Sequence, residues 1–348
     1  MAPVVVAALV APTTADAVAS PPNNVAYVTN SQSDNVMVID TTTNKVVATI
    51  PVGDNPIGVA VAPDNAHVYV ANSQSDNVSV IDATTRKVTA TIPVRGSPIG
   101  IDVSYGGTRV YVTDVQADTV SVISTKTNRV IATIPVGRAP FRIAAIPYYR
   151  VYVANQGSDT VSVISTVTNR VIATIPVGQD PFGIRFAPDG RYVYVANQGS
   201  DTVSVISTRT NKVVATVPVG HAPSRVVVSA DSSLVYVTLL LPAGVAVIDA
   251  KTNRVVDMIP VEGAHFGITI SPDGAWLYVT DLASASVSVI STRTNEVVGI
   301  IPVGEGPFGI RAANLVPRPG NRSYRLAPAE TGSPGELGGK LPAVQDGE

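Results

Sequence analysis

The sequence predicts an all-β protein, because a unit of about 42 residues recurs along it and reads as β-strands throughout. Successive units begin 42 residues apart, with one interval of 41, and each carries a tyrosine followed by valine: Tyr27, Tyr69, Tyr111, Tyr152, Tyr194, Tyr236 and Tyr278. The runs around these tyrosines are rich in Val, Ile and Thr, which suit pleated and packed strands, and no window shows the 3.6-residue period of a helix. Repeats of this length made only of strands are typical of the blades of a β-propeller.

Each repeat predicts four short strands separated by turn-forming residues. Residues 181–220 show them in order: Pro181–Phe186, Tyr192–Asn197, Thr202–Ser207 and Lys212–Val219. Pro-Asp-Gly at 188–190 suits a tight turn between the first two strands. Between the third and fourth strands most repeats place an asparagine, which tolerates the positive φ that a hairpin turn often needs: Asn44, Asn128, Asn169, Asn211, Asn253 and Asn295.

The two ends of the repeat array predict how the ring closes. Tyr27 follows only 26 residues, so the first repeat lacks a first strand of its own, and residues 307–313 form a first strand with no repeat after it. Pairing these two segments removes the open sheet edges that an unclosed array would have. We therefore predict a seven-bladed β-propeller over residues 24–316, with four antiparallel strands per blade and blade one completed by the C-terminal strand.

Residues 1–23 and 317–348 differ in composition from the repeats. The segment 3–11 is apolar and too short to span a bilayer, yet long enough for the core of a signal peptide, and Ala15-Asp-Ala17 has the small-x-small form of a signal-peptidase site. Residues 1–23 thus read as a signal-like leader or as a plain Ala/Pro-rich one, and we favour export to an extracytoplasmic or cell-surface location. The tail at 317–348 is rich in Pro, Gly and Glu and is expected to be disordered.

Charge and cysteine content exclude some classes of function. The net charge of −2 gives no general attraction to nucleic acid or to anionic membranes, so nucleic acid is a weakly supported partner. The absence of cysteine excludes disulfides and thiol chemistry. We expect a monomer without a transmembrane span.

Recurring motifs link the chain to a known repeat. Tyr27-Val28-Thr29-Asn30 is followed in successive units by Ser-x-Asp-x-Val-Ser-Val-Ile, by Thr-Asn-Lys/Arg-Val and by Ile-Pro-Val-Gly. With these motifs the chain resembles the YVTN-type β-propeller repeat family over residues 25–314. The resemblance implies an extracytoplasmic or surface-layer setting in bacteria and archaea. Related propellers include streptogramin lyases and quinoprotein dehydrogenase subunits, but no cofactor-attachment motif is seen, and we predict no cofactor.

Arginines replace small residues on the innermost strands. Counted from the proline that opens each strand, the second position after it is Gly in five repeats but Arg142 and Arg225 in two. The fourth position holds Arg185 and Arg311, and a single acid, Asp102. Innermost strands crowd around the propeller axis, where small residues are expected. Clustered arginines would suit a carboxylate, phosphate or sulfate; alternatively they fill a water-filled channel, or one of them pairs with Asp102.

Two further sets of residues lie in the connections. His221 and His265 fall where a fourth strand hands over to the next blade, with Glu262 nearby, and are either metal ligands or solvated loop residues. We place both histidines in the ligand-binding set and predict no metal. Aspartates seven residues after the tyrosines suit either calcium or the turn backbone, and the turn is favoured because they recur in nearly every repeat: Asp34, Asp76, Asp118, Asp159 and Asp201.

Taken together, these features predict an exported, non-enzymatic propeller. It would bind an anionic small molecule, a glycan or a protein partner at the handover face and the channel mouth. One alternative is a lyase or hydrolase with its site at the channel mouth, using His221, His265 and the channel arginines. A further alternative is a structural cell-surface module.

Overall fold

The computed structural model describes residues 24–147 and 149–314, which form seven four-stranded antiparallel sheets. The predicted all-β, seven-bladed propeller is confirmed. The innermost strands are β4 (Pro56–Val61), β8 (Pro98–Val103), β12 (Pro140–Ile146), β16 (Pro181–Phe186), β20 (His221–Val228), β24 (His265–Ile270) and β28 (Pro307–Asn314). The second strands are β1 (Asn24–Asn30), β5 (His67–Asn72), β9 (Arg109–Asp114), β13 (Arg150–Asn155), β17 (Tyr192–Asn197), β21 (Leu234–Leu241) and β25 (Trp276–Asp281).

The outer half of each blade completes the set. The third strands are β2 (Asn35–Asp40), β6 (Asn77–Asp82), β10 (Thr119–Ser124), β14 (Thr160–Ser165), β18 (Thr202–Ser207), β22 (Ala243–Asp249) and β26 (Ser286–Ser291). The outermost strands are β3 (Lys45–Pro51), β7 (Lys87–Pro93), β11 (Arg129–Pro135), β15 (Arg170–Pro176), β19 (Lys212–Pro218), β23 (Arg254–Pro260) and β27 (Glu296–Pro302). A 3-10 turn at Gln156–Ser158 is the one helical element of the described residues, and no helix among them could cross a membrane.

The ring closes as the sequence predicts. Strand β28 pairs antiparallel with β1, and blade one has the order β28-β1-β2-β3. The register places Tyr27 opposite Arg311 and Asn24 opposite Asn314. Blade seven also bonds to blade one directly, because the Tyr278 hydroxyl donates to the Thr41 carbonyl at 3.2 Å. The strand that closes the ring therefore carries Arg311, one of the predicted channel residues.

The repeated tyrosines lie between blades. All seven are at most 2% exposed, and each packs into an apolar cluster shared with an adjacent blade. Tyr27, for example, packs with Val68 and Val70 of blade two. Burial of this apolar surface is the main force that holds neighbouring blades together. The tyrosine thus recurs about every 42 residues because each blade uses it in the same contact with a neighbouring blade.

The turn residues do what their chemistry predicts. The six asparagines between third and fourth strands all have positive φ, between 51° and 56°. The recurring aspartates accept hydrogen bonds from the backbone of the next handover segment, as Asp34 does from the Asn55 amide at 2.9 Å and Asp159 from the Asp180 amide at 2.9 Å. The predicted leader at 1–23 and the predicted disordered tail at 317–348 lie outside the described residues.

Candidate functional site

A small cavity lies on the propeller axis, where the seven innermost strands meet. Its free volume is about 80 Å³. Every blade lines it with at least one aliphatic residue, and blade six with two: Val59, Ile101, Ile143, Ile184, Val226, Val227, Ile268 and Ile310. The polar part of its wall is formed by Asp102, Arg142, Arg185, Arg225, Thr269 and Arg311. All five charged residues that the sequence placed at the channel therefore line one cavity.

The close approach of the blades explains why the second position is usually glycine. A Cβ atom on Gly100 would lie 2.6 Å from the Phe141 carbonyl oxygen of the next blade. A Cβ atom on Gly267 would lie 2.6 Å from the Phe308 carbonyl oxygen. Such distances are shorter than packed atoms allow, so a side chain there requires the strands to shift. Arginine at two of these seven positions is therefore a structural departure as well as a chemical one.

Arg142 and Arg225 reach the same aromatic ring from different blades. The Cζ atoms of Arg142 and Arg225 lie 5.7 Å and 5.5 Å from the centroid of Phe308. Arg142 is only 7% exposed, and its Nη1 contacts the Ile99 carbonyl oxygen at 3.4 Å. The Nε and Nη2 atoms of both arginines are buried and have no hydrogen-bond partner among the described residues. These four nitrogens are therefore hydrogen-bond donors that the described residues do not satisfy.

The remaining charged residues, Asp102, Arg185 and Arg311, share the fourth position after the proline that opens each innermost strand. Arg311 Nη2 lies 4.0 Å from Asp102 Oδ1, while Asp102 Oδ2 accepts a hydrogen bond from the Ala145 amide at 2.9 Å. Burial, together with the nearby positive charge of Arg311, lowers the pKa of Arg185 to about 9. Burial alone lowers the pKa of Arg225 to about 9. The formal charges of the four arginines and the one aspartate that line the wall sum to +3.

Sequence analysis missed an arc of phenylalanines at the handover end of the channel. Phe141, Phe182, Phe266 and Phe308 each follow the residue that opens an innermost strand. Neighbouring ring centroids along the arc are 4.1 Å, 6.4 Å and 4.9 Å apart. Four of the five phenylalanines of the chain occupy this one position of the repeat, which is a signal the sequence does contain.

The two handover histidines have separate partners. His221 is exposed, and its Nδ1 lies 2.7 Å from Asp201 Oδ2. His265 is fully buried, and its Nε2 lies 2.9 Å from the Val261 carbonyl oxygen. Within residues 24–147 and 149–314, no group of three or more His, Cys, Asp or Glu side chains could hold a metal ion. His265 thus forms part of the blade packing, and His221 belongs to the outer surface of the handover segment.

Comparison with protein families gives two matches to parts of the chain. Residues 59–150 match a family described as YNCE-like beta-propeller. The chain is a β-propeller protein. Residues 150–269 match a second family, described as Cytochrome D1 heme domain. This second segment contains Arg185 and Arg225. A search of curated proteins gave no significant match.

Solved structures confirm the fold at low sequence identity. Kuenenia stuttgartiensis hydrazine synthase is 21% identical, with a TM-score of 0.69 over 82% of this chain and 99% of that one. A functionally unknown protein from Desulfotomaculum acetoxidans DSM 771 is 19% identical, with a TM-score of 0.74 over 84% and 99%. The dihydro-heme d1 dehydrogenase NirN, in complex with DHE, is 16% identical, with a TM-score of 0.61 over 88% and 78%. At these identities the likeness shows the fold alone.

The prediction of a plain, non-enzymatic binding surface is wrong. It is contradicted by the match of residues 150–269 to a family described as Cytochrome D1 heme domain. The expectation of no cofactor rested on the lack of a contiguous cofactor-attachment motif in the sequence. In a propeller, groups that face a ligand come one at a time from separate blades, so they leave no contiguous motif.

Proposed function

We propose that this propeller works with a tetrapyrrole of the heme class and receives its carboxylates at the channel arginines. The observation that carries the proposal is the match of residues 150–269 to the cytochrome D1 heme domain, a segment that supplies Arg185 and Arg225. Guanidinium groups bind carboxylates through charge-assisted and often bidentate hydrogen bonds. The net charge of +3 on the cavity wall supports the same ligand chemistry.

The residues present fit the carboxylates and the flat ring of such a group. The unpartnered Nε and Nη2 atoms of Arg142 and Arg225 are donors for carboxylate oxygens. The phenylalanine arc offers apolar surface for a macrocycle, since aromatic rings favour offset stacked and tilted packing. The cavity volume of about 80 Å³ is below the roughly 300 Å³ of small-molecule pockets, so only the acidic groups would enter it.

The cavity wall does not fit the iron of a heme. Protein ligands of heme iron are His, Cys, Met or Tyr side chains, and none of these types lines the described cavity. When bound, a heme-class group supplies redox chemistry at its metal. What this chain supplies is the cationic wall, which binds and orients the carboxylates, and the aliphatic ring, which keeps bulk water from the guanidinium groups.

An absorption titration tests this proposal. Purified protein is titrated with ferric heme, with the metal-free porphyrin and with the methyl ester of that porphyrin. We expect the two acids to bind with similar affinity and to shift the main porphyrin band, because the carboxylates are recognised and the metal is not. The ester should bind at least about tenfold more weakly, since each lost charge-assisted hydrogen bond contributes about 1.5–3 kcal/mol.

Two variants identify the site within the same titration. Arg225→Gly introduces the residue found at this position in five other blades, and it should weaken binding of both acids. Arg209→Ala removes an exposed arginine from an outer turn and should leave binding unchanged. Equal binding of the ester and the acid, or equal binding by Arg225→Gly and the unmodified protein, would refute the proposal.

We further propose that the repeats are of the YVTN type and that the protein is exported. The motif Tyr27-Val28-Thr29-Asn30 and the Ala15-Asp-Ala17 segment support these two assignments. N-terminal sequencing of the protein recovered from cell fractions tests export. A mature N-terminus immediately after Ala17 is the expected result, and an intact leader in the cytoplasmic fraction would contradict it.

A further inference from the structure

The strongest unexplained feature of the molecule is a pair of buried guanidinium groups without a counter-charge. Arg142 is 7% exposed, and Arg142 and Arg225 both lie within 6 Å of the Phe308 ring. Four of their nitrogens, the two Nε and the two Nη2 atoms, are buried and make no hydrogen bond within the described residues. Unpaired buried charge is strongly unfavourable, so folded proteins pair such groups with an opposite charge or with a ligand.

No acid of the cavity wall supplies that pairing. Asp102 is the one acidic side chain that lines the described cavity. Its Oδ1 accepts a hydrogen bond from the Val103 amide at 3.0 Å, and its Oδ2 accepts one from the Ala145 amide at 2.9 Å. The arginine nearest to it is Arg311, at 4.0 Å. The Asp102 carboxylate thus bonds to backbone amides and faces Arg311, and it pairs with neither Arg142 nor Arg225.

The surroundings of the pair limit the size and the kind of the missing partner. The cavity volume of about 80 Å³ exceeds the roughly 30 Å³ share of one water molecule and is far below that of an organic cofactor. Nε and Nη2 of a guanidinium point in parallel, which matches two oxygens of one oxyanion better than a spherical ion. The partner is therefore small, anionic and rich in oxygen.

We propose that Arg142 and Arg225 form a binding site for one compact oxyanion, such as formate, nitrate, sulfate or phosphate, inside the propeller channel. The proposed function assigns the same guanidinium nitrogens to the carboxylates of a tetrapyrrole, but the oxyanion site needs no tetrapyrrole to be complete. A free oxyanion and the carboxylate of a larger ligand share this chemistry, and the experiment separates the two sources.

The test measures thermal unfolding and calorimetric binding in a low-salt buffer. Sodium formate, nitrate, sulfate and phosphate are the probes, and sodium chloride at matched ionic strength is the control. We expect at least one oxyanion to raise the melting temperature in a saturable way and to bind with a stoichiometry of about one per chain, whereas chloride gives a smaller and unsaturated effect. The absence of a saturable response to all four oxyanions would overturn the proposal.

Substitutions that restore the residue of the other blades locate the site. Arg142→Gly and Arg225→Gly should each weaken oxyanion binding by about tenfold or more, because charge-assisted hydrogen bonds are lost. Arg225→Lys keeps the charge without the planar fork and should give an intermediate affinity. The exposed arginine variant Arg209→Ala should bind like the unmodified protein. Unchanged oxyanion binding by both glycine variants would exclude this pair as the site.

Folding of the variants is checked in the absence of added anions. Removing a buried unpaired charge should leave the melting temperature equal to or above that of the unmodified protein. Should either glycine variant fail to fold, the stoichiometry measured on the unmodified protein and the response of Arg225→Lys still decide the proposal.

A pH series adds a second criterion. The pKa of Arg225 lies at about 9 because of burial, and the other charged groups facing the cavity are Arg142, Arg185, Arg311 and Asp102. Oxyanion binding should hold below about pH 9 and decline above it, and affinity constant up to pH 11 would contradict a site built on Arg225. Porphyrin binding without oxyanion binding would refute only this inference, and oxyanion binding without porphyrin binding would refute only the tetrapyrrole proposal.

Discussion

The seven repeated tyrosines should make the ring unfold at alkaline pH. Burial raises the pKa of Tyr27, Tyr69 and Tyr194 to about 12, and it also raises the pKa of Tyr111, Tyr152, Tyr236 and Tyr278. A tyrosine in the unfolded chain ionises near pH 10. Because the folded-state pKa is the higher one, the stability linked to each phenol is fully present below pH 10 and is lost as the pH rises through about 12.

The size of this loss follows from the pKa shifts. A shift of about two pKa units corresponds to about 2.7 kcal/mol for each phenol. Tyr27, Tyr69 and Tyr194 together then account for a full loss of about 8 kcal/mol, of which about 6 kcal/mol falls between pH 10 and pH 12. A loss of this order is comparable to the whole unfolding free energy of a typical domain, about 5–15 kcal/mol. We therefore expect cooperative unfolding before pH 12.

Urea unfolding, followed by far-UV circular dichroism in steps from about pH 8 to pH 11.5, measures the loss directly. Tyr27→Phe should reduce the loss over this pH range by about 2 kcal/mol and change stability little at pH 7, because the Tyr27 hydroxyl is buried without a partner among the described residues. Tyr105→Phe is the matched control, since Tyr105 is 50% exposed and its substitution removes no buried phenol. An unfolding free energy that stays constant up to pH 11.5, or equal alkaline losses in Tyr27→Phe and the unmodified protein, would refute this reasoning.

Two further predictions concern single positions of the repeat. Asp114 is 1% exposed and stands where four repeats have asparagine, and burial raises its pKa to about 6. Asp114→Asn should therefore stabilise the protein above pH 6, by an amount on the order of 2–3 kcal/mol at pH 7 that vanishes below about pH 4; urea unfolding at both pH values measures it, and equal gains at both would contradict the cause. Gly267→Ala should cost about 1–3 kcal/mol, because the added Cβ meets the Phe308 carbonyl oxygen at 2.6 Å. Gly106→Ala is its control, since nothing lies within 4 Å of that Cβ, and equal melting temperatures for the two variants would contradict the crowding argument.

The fold could be predicted from the sequence because the same strand pattern recurs seven times. A single strand resembling β17 (Tyr192–Asn197) would be weak evidence, but its return at a fixed interval fixes both strand type and blade count. The asparagine turns at positions such as Asn44 were predictable because positive φ is a local property of the backbone. Ring closure could be predicted because the first repeat lacks an innermost strand and the segment at 307–313 is an innermost strand without a repeat after it, so the two pair.

The candidate site was only partly readable from the sequence. Repeat alignment identified Arg142 and Arg225 as departures, because a repeat exposes any residue that breaks it. The repeat pattern alone does not show that Arg142 and Arg225 both reach Phe308, because these three residues come from three blades and the contact depends on how far each side chain extends. His265 was misleading for a similar reason. Its place in a handover between blades suggested either a metal ligand or a solvated loop residue, whereas packing buries it and its Nε2 lies 2.9 Å from the Val261 carbonyl oxygen.

Ring closure and assembly of the candidate site depend on the same strand. Strand β28 pairs with β1 to complete blade one, and it also carries Phe308, against which both unpartnered guanidinium groups lie, and Arg311, which faces Asp102. The cavity therefore has its full set of charges only when the last strand is docked. By linkage, a ligand that binds the assembled cavity must favour the closed ring by the free energy of its binding. The buried positive charge of the empty cavity acts in the opposite direction, because unpaired charges in a confined space disfavour the state that brings them together. An anion in the channel would thus relieve a charge that closure itself creates, which is a physical reason for a propeller to keep arginines where its other blades require glycine.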